Sequence, residues 1–273
     1  MQEQERMTIP LQQHIVYGPV RSRRLGRSLG INVLPIEVKV CNMNCAYCQY
    51  GWRETGRRRP EWPSAVSIGE AVAARLRRAA RDNESLDRLT IAGHGEPTLH
   101  PEIEEIVDRL VDVRDRLAPT LRLAILSNST TAAYPEVRRA LSRLDERYMK
   151  LDAGDPITYA RINGLGTSIG TVVDALRDLP DVVVQSMFVR DEAGRVDNTT
   201  DGAIREWLGA IDLIQPSRVH VYTIDRATAL PSLRAVPTRR LREIAERVKT
   251  RDIPADVFGA TRPPVARRVS RAS

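Results

Sequence analysis

Strand-like and helix-like segments alternate along this chain of 273 residues, and the alternation restricts its fold more than any other feature. Short apolar segments rich in β-branched residues, typical of buried strands, occupy residues 31–40, 89–92, 121–126, 148–151, 182–189 and 218–224. Helical patterns lie between them, at residues 71–81, 103–117, 136–144, 167–179 and 201–214. Connections of this kind suit parallel crossovers. The sequence therefore predicts an α/β fold, a partial TIM-type (β/α)6 barrel.

Chemically distinctive residues follow these strands, end them or, for Gln185, lie within one, and in such barrels the loops at the carboxyl ends of the strands form the active site. These candidate residues, in chain order, are Cys41, Cys45, Tyr47, Cys48, Gly95, Glu96, Ser127, Asn128, Lys150, Asp152, Gln185 and Arg226. We therefore expect one site at this edge of the sheet.

All three cysteines of the chain lie within residues 41–48. Their odd number and close spacing favour a metal centre in a reducing compartment over a disulfide. A cubane iron–sulfur cluster takes four ligands, so three thiolates would leave one iron open. The alternative is a zinc site completed by His14 or His94.

The formal net charge is +7, and arginine supplies most of it, because lysine occurs only at 39, 150 and 249. Basic residues cluster at 21–24, 57–59 and 262–271. Such clusters are compatible with nucleic-acid binding, although a general preference for arginine explains them equally well. The last cluster contains two adjacent prolines and small polar residues, which predicts a short, disordered basic tail.

The apolar runs are too short for a membrane-spanning helix, and the first residues lack the pattern of a secretion signal. We therefore expect no membrane association and a cytoplasmic location. The predicted organisation is an N-terminal arm over residues 1–30, a barrel core over 31–250 and the basic tail over 251–273.

Two motifs together resemble those of the radical S-adenosylmethionine (SAM) superfamily. Residues 41–48, Cys-Asn-Met-Asn-Cys-Ala-Tyr-Cys, resemble its C-x3-C-x-aromatic-C loop after the first barrel strand, with Tyr47 in the aromatic position. Residues 93–97, Gly-His-Gly-Glu-Pro, resemble its Gly-Gly-Glu segment after the second strand. Residues 17–30, 95–100 and 150–153 are similar to a small subgroup related to the wyosine tRNA-modifying enzymes. Those enzymes carry extra cysteines for a second cluster, which this sequence lacks.

The resemblance implies two cofactors, a [4Fe-4S] cluster on Cys41, Cys45 and Cys48 and SAM on the open iron. An electron from a reductant protein such as flavodoxin or ferredoxin would cleave SAM to methionine and a 5'-deoxyadenosyl radical, which abstracts hydrogen from a substrate. RNA, a peptide or protein, and a small molecule all stay open as that substrate.

The resemblance also places Gly95 and Glu96 near the ammonium group of SAM, and Lys150 and Asp152 beside the cofactor. Their alternatives are a tight turn before Pro97 for the first pair and a structural ion pair for the second.

Three further cofactor contacts are predicted from residue type. Ser127 and Asn128 can bond ribose hydroxyls or a carboxylate, or instead cap the following helix. Gln185 shares a strand face with Met187, for which a role in the barrel core is the stronger expectation. Arg226 can bind the cofactor carboxylate or an anionic substrate, or lie on the surface.

A second class of function stays open on the sequence alone: a non-catalytic iron–sulfur or zinc protein that binds nucleic acid through its arginine clusters. The shortage of aromatic residues, 4% of the chain, leaves little surface for stacking on bases. Residues 164–170 superficially match a phosphate loop, but Ser168 makes a good helix cap and predicts a helix start instead.

Overall fold

One mixed sheet and seven helices make up the computed structural model within the residues that it describes, 9–53, 60–164 and 167–261. The strands are β1 (Val16–Ser22), β2 (Gly26–Ile31), β3 (Arg88–Ile91), β4 (Arg122–Ser127), β5 (Glu146–Lys150), β6 (Val182–Asp191), β7 (Arg218–Thr223), β8 (Leu233–Ala235) and β9 (Ala255–Phe258). The helices are α1 (Ala65–Arg81), α2 (Ile103–Leu117), α3 (Pro135–Ser142), α4 (Pro156–Asn163), α5 (Ile169–Arg177), α6 (Asp201–Ile214) and α7 (Thr238–Lys249).

The sheet is curled into a partial barrel. Its strands lie in the order β1-β2-β3-β4-β5-β6-β7-β9, and β8 pairs with β6. The pairs from β2 to β9 along this path are parallel, whereas β1 and β8 pair antiparallel with their neighbours. The predicted α/β fold of the partial TIM type is therefore confirmed.

The two faces of the sheet differ sharply in polarity. The outer face packs aliphatic side chains such as Leu89, Ile125 and Val221 against the helices, and all three are at most 1% exposed. The inner face carries charged and polar side chains on alternate positions, among them Arg88, Glu146 and Gln185. The hydrophobic core therefore lies between sheet and helices, and the interior of the curl is left polar.

The strand predicted over residues 31–40 is wrong, because β2 ends at Ile31. Asn32 turns the chain locally: its side chain donates to the carbonyl of Leu34 at 3.1 Å and accepts from the Leu34 amide at 3.3 Å. Pro35 then removes a backbone donor. Val33 and Leu34, in the apolar segment predicted as a strand, are buried in the hydrophobic core although they belong to a loop.

The predicted start of the first helix is wrong, whereas the helix cap at Ser168 and the start at residue 201 agree with the structure. The first helix begins at Ala65 rather than at residue 71, because Ser64 is its cap and accepts from the Ser67 amide at 3.2 Å. The cap at Ser168 is confirmed, since its side chain accepts from the Thr171 amide at 3.1 Å. The helix predicted over residues 201–214 has those bounds in the structure.

Elements β1, α4, β8, α7 and β9 were not predicted, and β2 was missed except for its last residue, Ile31. β1 and β2 show that residues assigned to the arm contribute to the sheet, and β9 lies within the range assigned to the tail. The division into arm 1–30, core 31–250 and tail 251–273 stays a proposal about folding units. The basic clusters at 57–59 and 262–271, and the disorder predicted for the tail, lie outside the described residues. No helix among the described residues is long and apolar enough to cross a membrane.

Candidate functional site

The cysteine loop, residues 41–48, is held by backbone hydrogen bonds to distant parts of the chain. On one side the Ala46 amide donates to the carbonyl of Ile162, at the end of α4, at 2.8 Å. On the other side the amide of Leu230, beyond β7, donates to the Ala46 carbonyl at 2.8 Å, and the Ala229 amide donates to the Cys48 carbonyl at 3.0 Å. Two distant segments of the chain therefore hold the backbone of the loop.

Each cysteine sulfur accepts from a side-chain nitrogen of a different segment. The three contacts are Lys39 Nζ to Cys48 Sγ at 3.1 Å, Asn163 Nδ2 to Cys45 Sγ at 3.4 Å and Asn128 Nδ2 to Cys41 Sγ at 3.7 Å. Donors of this kind stabilise negative charge on sulfur. Each of the three sulfurs of the loop thus has its own side-chain N–H donor.

Burial raises the pKa of Cys41 to about 12, and nearby Glu96 adds to the shift. Burial likewise raises the pKa of Cys45, although the hydrogen bond from Asn163 acts against it. Both thiols therefore hold their protons at neutral pH, and a metal that binds them must displace those protons.

Lys150 and Asp152 form an ion pair at the carboxyl end of β5, with 3.2 Å between Lys150 Nζ and Asp152 Oδ1. The Asp152 side chain has no exposed area. Burial lowers the pKa of Lys150, but Asp152 and Tyr222 outweigh it, so the pKa lies above its usual value. The structure therefore shows the pair expected from the alternation of side chains along this strand.

Tyr47 connects the cysteine loop to this ion pair. Its phenol donates to Asp152 Oδ2, and Lys150 Nζ lies 4.4 Å from its ring centroid. Asn163 donates to the Tyr47 hydroxyl at 3.0 Å and to Asp152 Oδ2 at 2.9 Å. The aromatic position of the loop is thus a hydrogen-bonding position, and a buried network joins Cys45 to β5.

Glu96 lies at the opposite side of the loop and is 1% exposed. Its Oε1 accepts from the amide and hydroxyl of Thr98 at 3.1 and 2.6 Å and from the Ser127 hydroxyl at 2.9 Å. Its Oε2 accepts from the Asn128 amide at 2.5 Å. Burial raises the pKa of Glu96, although these hydrogen bonds oppose the shift. The carboxylate therefore joins the segments that follow β3 and β4.

The packing of two loops requires a glycine at position 95, which the sequence alone did not show. A Cβ at this position would lie 1.7 Å from the Val40 carbonyl oxygen, which also accepts from the Glu96 amide at 2.9 Å. The close approach is between two loops of the chain itself, and it sets the Glu96 segment against the start of the cysteine loop.

Asn128 contacts the cysteine loop, whereas Ser127 turns toward the loop that follows β4. Asn128 Nδ2 donates to the Asn42 side chain at 2.8 Å as well as to Cys41, and its Oδ1 accepts from the Thr130 amide at 3.0 Å. The Ser127 hydroxyl accepts from the Ser129 amide at 3.0 Å. Both side chains therefore shape the site from within, and neither caps α3.

Among the described residues, neither Gln185 nor Arg226 forms a hydrogen bond to residues 41–48 of the cysteine loop. Gln185 is 3% exposed on the inner face, where its Oε1 accepts from Arg24 Nη1 at 2.9 Å. Arg226 is exposed beyond β7, and its charge counteracts the burial that raises the pKa of Tyr50. Met187 is buried in an apolar cluster with Tyr47 and Tyr222, as expected for a core residue.

Four residues of the site were missed by sequence reasoning: Arg24, Lys39, Asn163 and Tyr222. Asn163 ends a helix that the sequence pattern did not reveal, and Tyr222 contacts Lys150 only through the curl of the sheet. Lys39 is one of three lysines and lies two residues before Cys41, and this position is the sequence feature that could have placed it near the cysteines.

His94 is not placed to complete a zinc site. Its Nδ1 accepts from the Gln12 amide at 3.1 Å, and its Nε2 lies 2.7 Å from the Pro35 carbonyl, to which it donates. Both ring nitrogens are therefore engaged. Within the described ranges, no three His, Cys, Asp or Glu side chains converge on a single-ion position. A cubane cluster takes one protein thiolate on each of three irons when its fourth iron is open, and the loop has three cysteines.

A surface groove of about 480 Å3 lies elsewhere, beside Gly18 and the end of α1. Its charged lining residues pair with one another, Arg75 with Glu84 and Arg78 with Asp82. Its four charged side chains therefore form two ion pairs, although Arg75 Nη1 is buried without a hydrogen-bond partner among the described residues.

The radical SAM superfamily model matches residues 38–189, which contain the cysteine loop, Glu96 and the Lys150–Asp152 pair. This chain therefore belongs to the radical SAM superfamily, whose members are enzymes that bind a [4Fe-4S] cluster and SAM. Within it the chain is similar to the UPF0026 proteins: it is 34% identical over 216 residues to one from Helicobacter pylori strain 26695, covering 79% of this chain and 68% of that protein.

Another relative, a protein named GTPase Obg from Brachyspira hyodysenteriae, is 28% identical over 223 residues. The match covers 81% of this chain but 31% of that protein, so the chain spans about a third of that relative.

Solved structures of radical SAM enzymes share the fold. A radical SAM methyltransferase from Sphaerobacter thermophilus matches with a TM-score of 0.62 and 17% identity, over 85% of this chain and 65% of that one. TYW1 with a lysine–pyruvate adduct bound matches with a TM-score of 0.59 and 16% identity, over 82% and 73%. These structures confirm the partial-barrel fold.

Proposed function

We propose that this chain binds a [4Fe-4S] cluster through Cys41, Cys45 and Cys48 and acts as a radical SAM enzyme on a substrate that is not yet identified. One observation carries the proposal: three sulfurs, each with its own N–H donor, lie between the Glu96 carboxylate and the Lys150–Asp152 pair. When bound, the cluster and SAM together supply the reductive cleavage of SAM to methionine and a 5'-deoxyadenosyl radical that abstracts hydrogen from substrate.

The chain's own residues prepare the site in three ways. Lys39, Asn128 and Asn163 donate to the sulfurs and so favour the thiolate forms. Tyr47 holds the loop against Asp152, which keeps the loop and β5 in a fixed relation. Glu96 connects the segments that follow β3 and β4 through its hydrogen bonds with Thr98, Ser127 and Asn128.

Glu96 and Lys150 have different roles in the proposed site. Glu96 accepts from the Ser127 hydroxyl and from the Asn128 amide, so it fixes the segment that follows β4 and orients groups that would meet the cofactor. Lys150 presents its ammonium group at the mouth of the barrel with 18% of its side chain exposed, which suits a contact to a carboxylate or ribose of SAM.

Two partners follow from this chemistry. An electron must arrive from a reductant protein, for which flavodoxin or ferredoxin is the expected type. The substrate stays open among RNA, a peptide or protein, and a small molecule. Two arginines of the basic cluster at 21–24 do not support binding of RNA along the surface. Arg23 contacts Asp225 and Arg24 contacts Gln185, so both are engaged within the chain.

Anaerobic reconstitution with iron and sulfide, followed by dithionite reduction with SAM present, tests the proposal. We expect a cluster absorption band, close to four irons per chain as a [4Fe-4S] cluster requires, and 5'-deoxyadenosine detected by mass spectrometry. Cys45→Ser should remove both, whereas Ser142→Ala, an exposed change on α3, should leave both unchanged. Zinc without acid-labile sulfide, or turnover retained in Cys45→Ser, would contradict the proposal.

The RNA option has its own test. Binding of RNA by surface arginines should weaken steeply as salt increases, because counterions are released from the phosphates. Filter binding of bulk tRNA at several salt concentrations measures this dependence, and a flat profile would remove RNA from the candidate substrates.

A further inference from the structure

Arg24 projects from the β1–β2 turn into the interior of the curled sheet. Its Nη1 donates to Gln185 Oε1 at 2.9 Å, and its guanidinium carbon lies 4.1 Å from the centroid of the Tyr222 ring. Lys150 Nζ lies 5.0 Å from the same centroid and donates to the Tyr222 hydroxyl at 2.7 Å. Two cations therefore flank one aromatic ring inside the barrel.

Arg24 differs from the other basic side chains of this inner surface. Each of the others pairs with a carboxylate: Arg88 and Arg122 with Glu146, Arg218 with Asp256 and Lys150 with Asp152. Among the described residues, no carboxylate lies within ion-pair distance of Arg24, whose contacts are a neutral amide and an aromatic ring. Its positive charge is therefore not neutralised by this part of the chain.

The guanidinium also keeps most of its hydrogen-bonding capacity. An arginine has five N–H donors, and Gln185 engages one nitrogen of Arg24. Arg24 is half-buried. Its other side-chain nitrogens are not among the atoms that are fully buried without a hydrogen-bond partner. These donors therefore keep some solvent exposure.

Neighbouring groups maintain this arrangement. His220, 4% exposed, lies 3.5 Å from Gln185 Nε2, so its neutral ring can accept from the amide and orient Oε1 toward Arg24. Burial, reinforced by Arg24, lowers the pKa of His220 to about 4. His220 therefore adds no positive charge at neutral pH, and Gln185 keeps its oxygen for Arg24.

The turn that carries Arg24 also closes the open side of the sheet. β1 and β2 lie at one edge and β9 at the other, yet Arg23 donates to the Gly259 carbonyl just after β9 and lies 3.7 Å from Asp225 after β7. The side chain of Arg24 is thus held inside a space enclosed by the two edges.

We propose that Arg24 binds an anionic group of the substrate, a carboxylate or a phosphate monoester, inside the curl beneath the Lys150–Asp152 pair. The identification of this ligand as substrate rests on the proposed radical SAM function, whereas the anion site itself does not. An unpaired guanidinium with free donors in an enclosed polar space is the arrangement that recognises such groups, with planar bidentate geometry. The site points to a small anionic metabolite rather than a neutral one.

Calorimetric titration of the full chain, with its cluster reconstituted, tests the site with inorganic phosphate and malonate as probes. We expect one of the two to bind saturably, which also tells phosphate from carboxylate recognition. Arg24→Gln should weaken that binding by at least about tenfold, the loss of a hydrogen bond to a charged group. Arg24→Lys should recover part of it, and Arg21→Gln, an exposed change in the preceding strand, should have no effect.

Three outcomes would overturn the proposal: neither probe binds, Arg24→Gln binds as well as wild type, or Arg21→Gln weakens binding equally. A loss of SAM affinity in Arg24→Gln as large as the loss for the probe would also overturn it, because Arg24 would then bind the cofactor. Circular dichroism of each variant separates these results from misfolding. If Arg24-dependent binding occurs but reconstitution gives no cluster or 5'-deoxyadenosine, the anion site stands and the proposed function fails.

Discussion

The phenol of Tyr47 donates a hydrogen bond to the buried carboxylate of Asp152, which lies 105 residues further along the chain. The contact joins the cysteine loop to the carboxyl end of β5, and through Lys150 to Tyr222 and the interior of the curl. The aromatic residue of the loop therefore connects the region proposed for the cofactor with the one proposed for substrate.

Tyr47→Phe should lower the free energy of unfolding by about 2 kcal/mol, because a buried carboxylate loses one of its donors. Tyr134→Phe, at a side chain that is 55% exposed, is the matched control and should change little. Urea denaturation followed by circular dichroism measures both. Equal stability of the two variants would show that the Tyr47 hydroxyl contributes nothing to the fold.

Lys39→Met should lower the reduction potential of the reconstituted cluster by on the order of 50 to 100 mV, because a charged donor to a ligand sulfur is lost. Lys39 is 8% exposed, whereas Lys249, which pairs with Glu246 at 2.8 Å, is a surface lysine and gives the control Lys249→Met. Reductive titration monitored by electron paramagnetic resonance measures the potential. An unchanged potential in Lys39→Met would rule out a tuning role.

Gly95→Ala should destabilise the protein by about 3 kcal/mol, since the new Cβ would collide with the Val40 carbonyl oxygen and the backbone must move. Gly209→Ala provides an opposite control, because that glycine lies in α6 with open space around it. Alanine there should stabilise by about 0.5–1 kcal/mol. Thermal unfolding of both variants gives the comparison, and a Gly95→Ala protein as stable as wild type would contradict the packing role.

Stability should fall as the pH decreases from 7 to 5, partly because of His220. Its pKa is lowered from 6.5 to about 4 in the folded protein, chiefly by burial, so the unfolded chain binds the proton first. The contribution is fully present above pH 6.5 and declines as the pH falls toward 4, with a loss of about 2 kcal/mol by pH 5. His220→Gln should show a smaller decline in urea denaturation, although burial also lowers the pKa of His94 and His100. Identical declines in variant and wild type would exclude His220 as a source.

The sequence was sufficient for what depends on short-range patterns. The three cysteines with Tyr47, the Gly95-Glu96 segment and the alternation of Lys150 and Asp152 are local patterns, and the structure places all of them at one edge of the sheet. Five of the six predicted strands overlap observed strands almost throughout their length, because apolar β-branched runs in an α/β protein are usually buried strands.

The rest depends on contacts between distant segments. Asn163 donates to Cys45 across 118 positions, and Arg24 meets Gln185 across 161, so no local pattern could pair them. The wrong strand over 31–40 has a related cause. Val33 and Leu34 are apolar residues buried in a loop. The sequence pattern of an apolar run does not distinguish a buried loop from a buried strand.

The backbone hydrogen bonds from Ala229 and Leu230 to the cysteine loop have a consequence for how the protein is made. During synthesis Cys48 leaves the ribosome long before residue 230 exists, so the loop at first lacks one of the two segments that hold it. Iron delivered to the nascent chain would meet thiols without their final geometry. We therefore expect the proposed cluster to be inserted after translation has passed residue 230, and a chain cut short before that point should have cysteines more open to oxidation.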